Sequence, residues 1–427
     1  MNQVKKIMNS DYVFSVIAKV LGVFIAVIYS MFYSRYLGAA LKGEAAVISN
    51  YAALISSVVC LGMYQAYPFY KKTEKDIFYP FVNTMTSAYS LLLFLSIIAF
   101  FALYHVDLNL GIALIMVPLQ AYIRHINYVV LVEAPRRRNI TSIILNITDL
   151  LIVIVFWLFT EASYFHLVCI LMLQTAVNVF LSYANLKVQV KQLRFTLKYL
   201  FKYAKYGIVP MITLFLMTIN YRVDILMLER AENVTLEMIG VYSVGIALAE
   251  KVWLIPDALK DILLSRLCNG KDDREVSRII RLSLWVTILL TLFVAAVAPL
   301  FVKIVYGAEF IGADTITIIM LVGVIGMIFY KMVYAYNIAN GHRNASLLFL
   351  GIAAVLNVIG NFLLIPVGGI YAAAWCSVIS YTACGVLFLV YFHCIAHVPY
   401  SEMLFVKKED LRIMLDLISN KRKKKAE

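Results

Sequence analysis

Apolar runs of about twenty residues, broken by short polar stretches, follow one another along almost the whole chain. A helix rising 1.5 Å per residue needs about 20 such residues to cross roughly 30 Å of hydrocarbon. By that criterion the pattern predicts twelve spans, near 13–37, 45–67, 80–104, 111–132, 140–160, 164–186, 206–229, 239–267, 279–302, 313–336, 345–366 and 369–394. The fold class expected is an all-α polytopic membrane protein of twelve transmembrane helices. They divide into an N-terminal six-helix bundle, residues 1–190, and a C-terminal one, residues 206–395. Between them, residues 191–205 are expected to form an amphipathic cytoplasmic linker helix, because LRFTLKYLFKYAKY interleaves basic residues with Leu, Phe and Tyr. Residues 396–427 are expected to form an amphipathic, polybasic cytoplasmic tail.

Composition agrees with a membrane solvent. Of 427 residues, 63% are hydrophobic and 15% charged, with a mean hydropathy of +0.84, well beyond what a soluble domain needs. The first apolar span is too long for a signal-peptide core and lacks a small-residue cleavage site, so it reads as a retained helix. The formal charge of +13 raises nucleic acid as a partner, but its distribution argues otherwise. Of the 38 Lys and Arg, 28 lie in alternate connections and at the two ends, while the other connections hold only Arg35, Lys42, Arg230 and Lys303. The excess of positive charge on one side places both termini in the cytoplasm. The basic segments then face anionic lipid; for the terminal KRKKK, a solvated tail is the alternative. The six cysteines lie singly, with neither zinc nor disulfide spacing, and the pattern calls for no cofactor.

Six cations remain inside spans: Lys19, Arg124, Arg222, Lys251, Lys260 and Lys331. A charge at mid-depth costs roughly 2.5–3.5 kcal/mol on insertion scales, so each must meet protein or water, which implies an aqueous cavity. Lys251 lies about 16 Å below the outer end of its helix. Lys260 and Lys331 fall near the inner surface, where they can snorkel or pair with Asp257 or Asp261. Lys19 lies about 10 Å in and has no acidic neighbour within a turn. Arg124 and His125 are adjacent, about 100° apart on a helix, so at most one faces a cavity squarely. Glu250, Asp257 and Asp261 form one acidic stripe, which either faces the cavity or pairs with neighbouring helices. Arg222 and Asp224 point to different faces. Pro210 and Pro256 remove backbone donors, which makes each a kink and gating candidate or simply a packing residue. The substrate-binding candidates are Lys19, Lys251, Arg124, Arg222, His125, Glu250 and Asp224.

Four strings carry a resemblance: SRYLGAALKGEAAVISNYAALISSVVCLGM, VDILMLERAENVTLEMIGVYSVGIALAEKVWLIPDAL, IVYGAEFIGADTITIIML, and ANGHRNASLLFLGIAAVLNVIGNFLLIPVGGIYAAAWCSVISY. In this order they resemble the multidrug, oligosaccharidyl-lipid and polysaccharide exporter superfamily, and within it the polysaccharide flippases. Lys19 followed by Val-Leu-Gly is similar to a basic pattern of its lipid-linked-sugar flippases. The resemblance implies two six-helix bundles around a central cavity that opens alternately to either side. It further implies translocation of polyprenyl-diphosphate-linked oligosaccharide repeat units across the bacterial cytoplasmic membrane, from inner to outer leaflet. The product would feed surface polysaccharide assembly (O-antigen, capsule), with a polysaccharide polymerase as a partner. A coupling ion, Na+ or H+, is left open.

Three alternatives stand beside this. A cation-coupled multidrug antiporter of the same superfamily is expected to carry an acid in its first helix, where this chain has none after Asp11. Lipid II flippases usually add Arg in the first two helices, whereas the second span here has no Lys or Arg. A polytopic polymerase or ligase needs a sizeable outside loop and catalytic groups. The outside loops are short and carry no paired carboxylates or nucleophile arrangement, so no enzymatic activity is expected.

Overall fold

The computed structural model describes residues 2–74, 76–267, 273–340 and 342–407, with side chains from Leu21 onward except at 190, 258, 261, 262, 264–266, 273–275, 339 and 343. The regular elements of the described chain are helices: α1 (Asn2–Val59), α2 (Ala66–Tyr70), α3 (Phe78–Leu103), α4 (Leu108–Glu133), α5 (Pro135–Phe159), α6 (Tyr164–Ala184), α7 (Leu200–Glu229), α8 (Leu236–Glu250), α9 (Leu254–Leu267), α10 (Asp273–Phe301), α11 (Ala313–Ala339), α12 (Arg343–Ala396) and α13 (Tyr400–Leu404). Ten spans among the described residues are long and apolar enough to cross a membrane. Large apolar side chains such as Phe24, Phe101, Phe165, Phe293 and Phe362 stand exposed along them, as a lipid solvent requires. The protein is a multi-pass membrane protein.

Two of the ten spans are folded back at a glycine. Gly38 interrupts α1 at φ 69°, and Gly369 interrupts α12 at φ 54°. With ψ at 176° and −134°, both positions pair a positive φ with an extended ψ, a combination nearly confined to glycine and costing another residue roughly 1–3 kcal/mol, so glycine allows the chain to reverse within one residue. Counting the halves separately gives twelve apolar segments. The polar connection expected over 38–44 is therefore reduced to Gly38, with helix resuming at Ala39. The eighth span is broken instead by a 3₁₀ turn, Lys251–Trp253, between α8 and α9. Pro256 explains the break: it offers no N–H to the Val252 carbonyl and its ring crowds that group. Pro210, by contrast, sits inside an uninterrupted α7.

The linker departs from expectation. Val190–Gln192 is a 3₁₀ turn, residues 193–197 are not helical, and helix begins only at Leu200, where it runs straight into α7. Side chains of α3 hold this backbone in place of helical hydrogen bonds. Asn83 Nδ2 donates to the Gln192 carbonyl at 3.1 Å, and Ser87 Oγ accepts from Thr196 N at 3.0 Å. Of the tail, only the segment to Lys407 lies among the described residues.

By packing, the chain divides into two compact units. The first comprises Met1–Val244, Phe301–Ala313 and Val358–Ala373. In it α1 packs on α4, α5 and α7, and α3 on α4. One core gathers Tyr67, Phe81, Met85, Ile126 and Tyr203, and another Tyr33, Ile48, Ala52, Met116 and Leu167. The second half of α1 lies so close to α8 that a Cβ on Gly240 would fall 2.0 Å from the Ala39 carbonyl oxygen. Small residues permit such approach where hydrocarbon provides no hydrophobic drive between helices. The second unit comprises Gly245–Leu300, Asp314–Asn357 and Ala374–Glu427. There α11 and α12 meet with a Gly385 Cβ position only 1.9 Å from the Gly326 carbonyl oxygen.

Candidate functional site

Polar residues on α4, α5 and α6 converge in the first unit. On α4, Gln120, Arg124 and Asn127 follow at spacings of 4 and 3, which puts them on one helical face. On α5, Arg138 and Asp149 are eleven residues apart, close to three full turns. With Gln174 and Asn178 of α6 they line a cavity of about 480 Å³. Gln174 is fixed on both sides: its Nε2 lies 3.2 Å from Tyr29 Oη and donates to the Asp149 carbonyl at 3.4 Å. Ser182 Oγ donates to Asn178 Oδ1 at 3.1 Å, which turns the Asn178 amide nitrogen to other partners. Asp149 Oδ1 is buried without a hydrogen-bond partner.

Of the adjacent pair, Arg124 lines this cavity while His125 is fully buried. The His125 ring lies against Tyr64, Phe81 and Tyr89, and its Nδ1 is 2.6 Å from the Ala121 carbonyl. It is part of the aromatic packing. Arg222 is half-buried on α7, whereas Asp224 is 1% exposed and accepts a 2.6 Å hydrogen bond on Oδ2 from Tyr242 of α8. That bond ties two neighbouring helices together.

Lys251 is exposed at the 3₁₀ break, directly after the half-buried Glu250, and the buried Pro256 lies one turn further on. Deeper in the second unit, Lys331 and Lys260 converge on Asp257 Oδ1 at 2.8 and 3.4 Å. Lys331 also sits 4.4 Å from the centre of the Trp253 ring, whose Nε1 donates to the Val324 carbonyl. Among the described residues, no group of three or more His, Cys, Asp or Glu is placed to hold a metal ion. The side chains of Lys19 and Asp261 lie outside the described residues.

One cluster was not singled out from sequence. Arg230, just past α7, donates from Nη2 to Asp107 Oδ2 at 2.7 Å and to Tyr51 Oη at 2.8 Å, while Tyr51 donates to Glu229 Oε2 at 2.6 Å. Asp107 also caps α4 through Leu110 N at 2.9 Å. Nearby in the same unit, Arg35 donates to the carbonyls of Ile304 and Val305, and Glu309 accepts from Ala39 N at 3.0 Å beside the Gly38 reversal. These groups come from segments far apart in the chain.

No protein-family model matches the sequence, and no curated protein does. Solved structures do match. A lipid II flippase, MurJ, in an inward closed conformation superposes with a TM-score of 0.69 at 15% identity, covering 96% of this chain and 92% of that one. An inward-facing multidrug resistance MATE family transporter of the MOP superfamily gives 0.64 at 11% identity, covering 89% and 98%. The chain is thus a polytopic membrane protein with the fold shared by these membrane transporters. The structures it resembles are flippases and transporters, not enzymes.

Proposed function

We propose that this chain is a flippase. It carries polyprenyl-diphosphate-linked oligosaccharide repeat units from the inner to the outer leaflet of the bacterial cytoplasmic membrane by alternating access, with both termini cytoplasmic. The observation that carries the reading is Lys251, an ammonium group exposed at a break in the middle of an apolar span. Lipid cannot solvate it at a tolerable cost, and an exposed cation on a water-filled path serves an anionic cargo. Arg124 and Arg222 add to the positive charge, as does Lys19 by its place in the sequence. His125 and Asp224 are engaged in packing and leave the set of cargo contacts. The fold, shared with a lipid II flippase, supports this class of cargo. The basic connections rest on anionic lipid, and a polysaccharide polymerase takes the product.

The test is export of lipid-linked repeat units in depleted cells complemented with Lys19→Gln, Lys251→Gln or both, at matched protein levels. Each single change is expected to lower export at least tenfold. Normal export by the double variant overturns the charged-path mechanism. A second reading, a multidrug antiporter coupled to Na+ or H+, is favoured by the likeness to a MATE transporter and by the carboxylate of Asp149 within α5. It predicts loss of dye efflux, with unchanged glycans, in depleted cells.

A further inference from the structure

The cavity between α4, α5 and α6 holds three charged side chains that do not neutralise one another. Among the described residues no carboxylate lies within ion-pair distance of Arg124 or Arg138, and Asp149 Oδ1 is buried without a donor. Arg138 is exposed and Arg124 half-buried, so both reach a ligand or water, while the buried, partnerless Asp149 Oδ1 calls for a donor.

Their order along the helices says which ligand. Measured by helix rise from the α4–α5 turn at Ala134, Arg138 lies about 6 Å in, Arg124 about 15 Å and Asp149 about 22 Å. Two guanidiniums therefore come first and the carboxylate lies deepest. Guanidinium groups match phosphate oxygens in a bidentate fork. A carboxylate with a free oxygen, flanked by the amides of Gln174 and Asn178, matches sugar hydroxyls. The volume of about 480 Å³ falls within the range of small-molecule sites.

We infer that this cavity is a glycosyl-phosphate site. The phosphate lies between Arg138 and Arg124, and the sugar lies beyond it, with a hydroxyl donating to Asp149 Oδ1. The inference rests on the flippase reading only for the source of the phosphate, which would be the head of the lipid-linked cargo. It adds Arg138, Asp149, Gln174 and Asn178 to the contacts and fixes the polarity of entry, phosphate nearest the α4–α5 turn.

The experiment uses the purified full chain in phosphatidylcholine nanodiscs, titrated with glucose 1-phosphate, inorganic phosphate and glucose. Glucose 1-phosphate is expected to bind saturably and more tightly than either fragment. Arg124→Gln and Arg138→Gln should each weaken both phosphate-bearing probes about tenfold, with Arg138→Lys recovering part of the loss. Asp149→Asn should weaken glucose 1-phosphate and leave inorganic phosphate unchanged, a selectivity that a folding defect would not produce. Absence of saturable binding to the wild-type chain overturns the site, as does equal binding by the double arginine variant. A further arm replaces part of the phosphatidylcholine with phosphatidylglycerol. If that lipid displaces glucose 1-phosphate through the same arginines, the cavity holds a lipid headgroup and the sugar assignment is wrong. If glucose 1-phosphate fails to bind while Lys251→Gln still abolishes export, the site falls and the flippase reading stands. If it binds as described while Lys251→Gln exports normally, the site stands and the charged-path mechanism falls.

Discussion

Lys331 shows how an ammonium group is kept in an apolar span. Its side chain is 9% exposed, paired with Asp257 at 2.8 Å and laid on the Trp253 ring. Removing one partner of a buried pair typically costs 3–5 kcal/mol. Asp257 is 42% exposed and also serves Lys260, so solvent softens the loss. Asp257→Asn is therefore expected to destabilise the chain by about 2 kcal/mol, read as a lower unfolding temperature in detergent. Adding Lys331→Met should restore most of the loss, and a double variant no more stable than Asp257→Asn would contradict the pair. The sequence left snorkelling, Asp257 and Asp261 open for both lysines, and the structure pairs both with Asp257. The Trp253 ring beneath Lys331 was not legible, because it depends on how α11 packs against the break at Lys251. The Arg124 and His125 pair was legible only as a choice. Helical geometry sends one inward and one elsewhere, but which one depends on the rings of Tyr64, Phe81 and Tyr89, contributed by other elements.

At the scale of elements, the reversals and close approaches do the shaping. Gly38→Ala is expected to cost roughly 1–3 kcal/mol because positive φ with extended ψ resists a side chain. Gly240→Ala must push helix backbones apart, since its new carbon would fall 2.0 Å from the Ala39 carbonyl. Gly351→Ala is the control: nothing lies within 4 Å of the added carbon, and the helix-forming preference of Ala predicts a gain of up to about 1 kcal/mol. Thermal unfolding of the three variants checks the ranking, and a loss at Gly351 as large as at Gly240 would contradict it. The apolar runs made the twelve segments readable, since length and hydropathy are local properties. The linker was not readable in the same way. Its helical amphipathic pattern is overridden by Asn83 and Ser87 of α3, which capture its backbone, and no local pattern announces such capture.

At the scale of the whole molecule, the Arg230 cluster joins the second half of α1, the start of α4 and the end of α7. Arg230 is 64% exposed, so each of its bonds contributes under about 1 kcal/mol. Arg230→Gln should leave global stability nearly unchanged while hydrogen exchange rises at the α7–α8 turn and at Asp107. No rise there would mean that the cluster does not hold these segments in place. In the proposed orientation this end faces outward, the side on which the proposed flippase releases its cargo. The central claim, outward movement of a lipid-linked glycan, is tested most directly by the leaflet distribution of that glycan in cells depleted of the chain. The account predicts that single repeat units accumulate facing the cytoplasm and that surface polymer disappears. Unpolymerised units on the outer face, or an unchanged glycan profile, would contradict it.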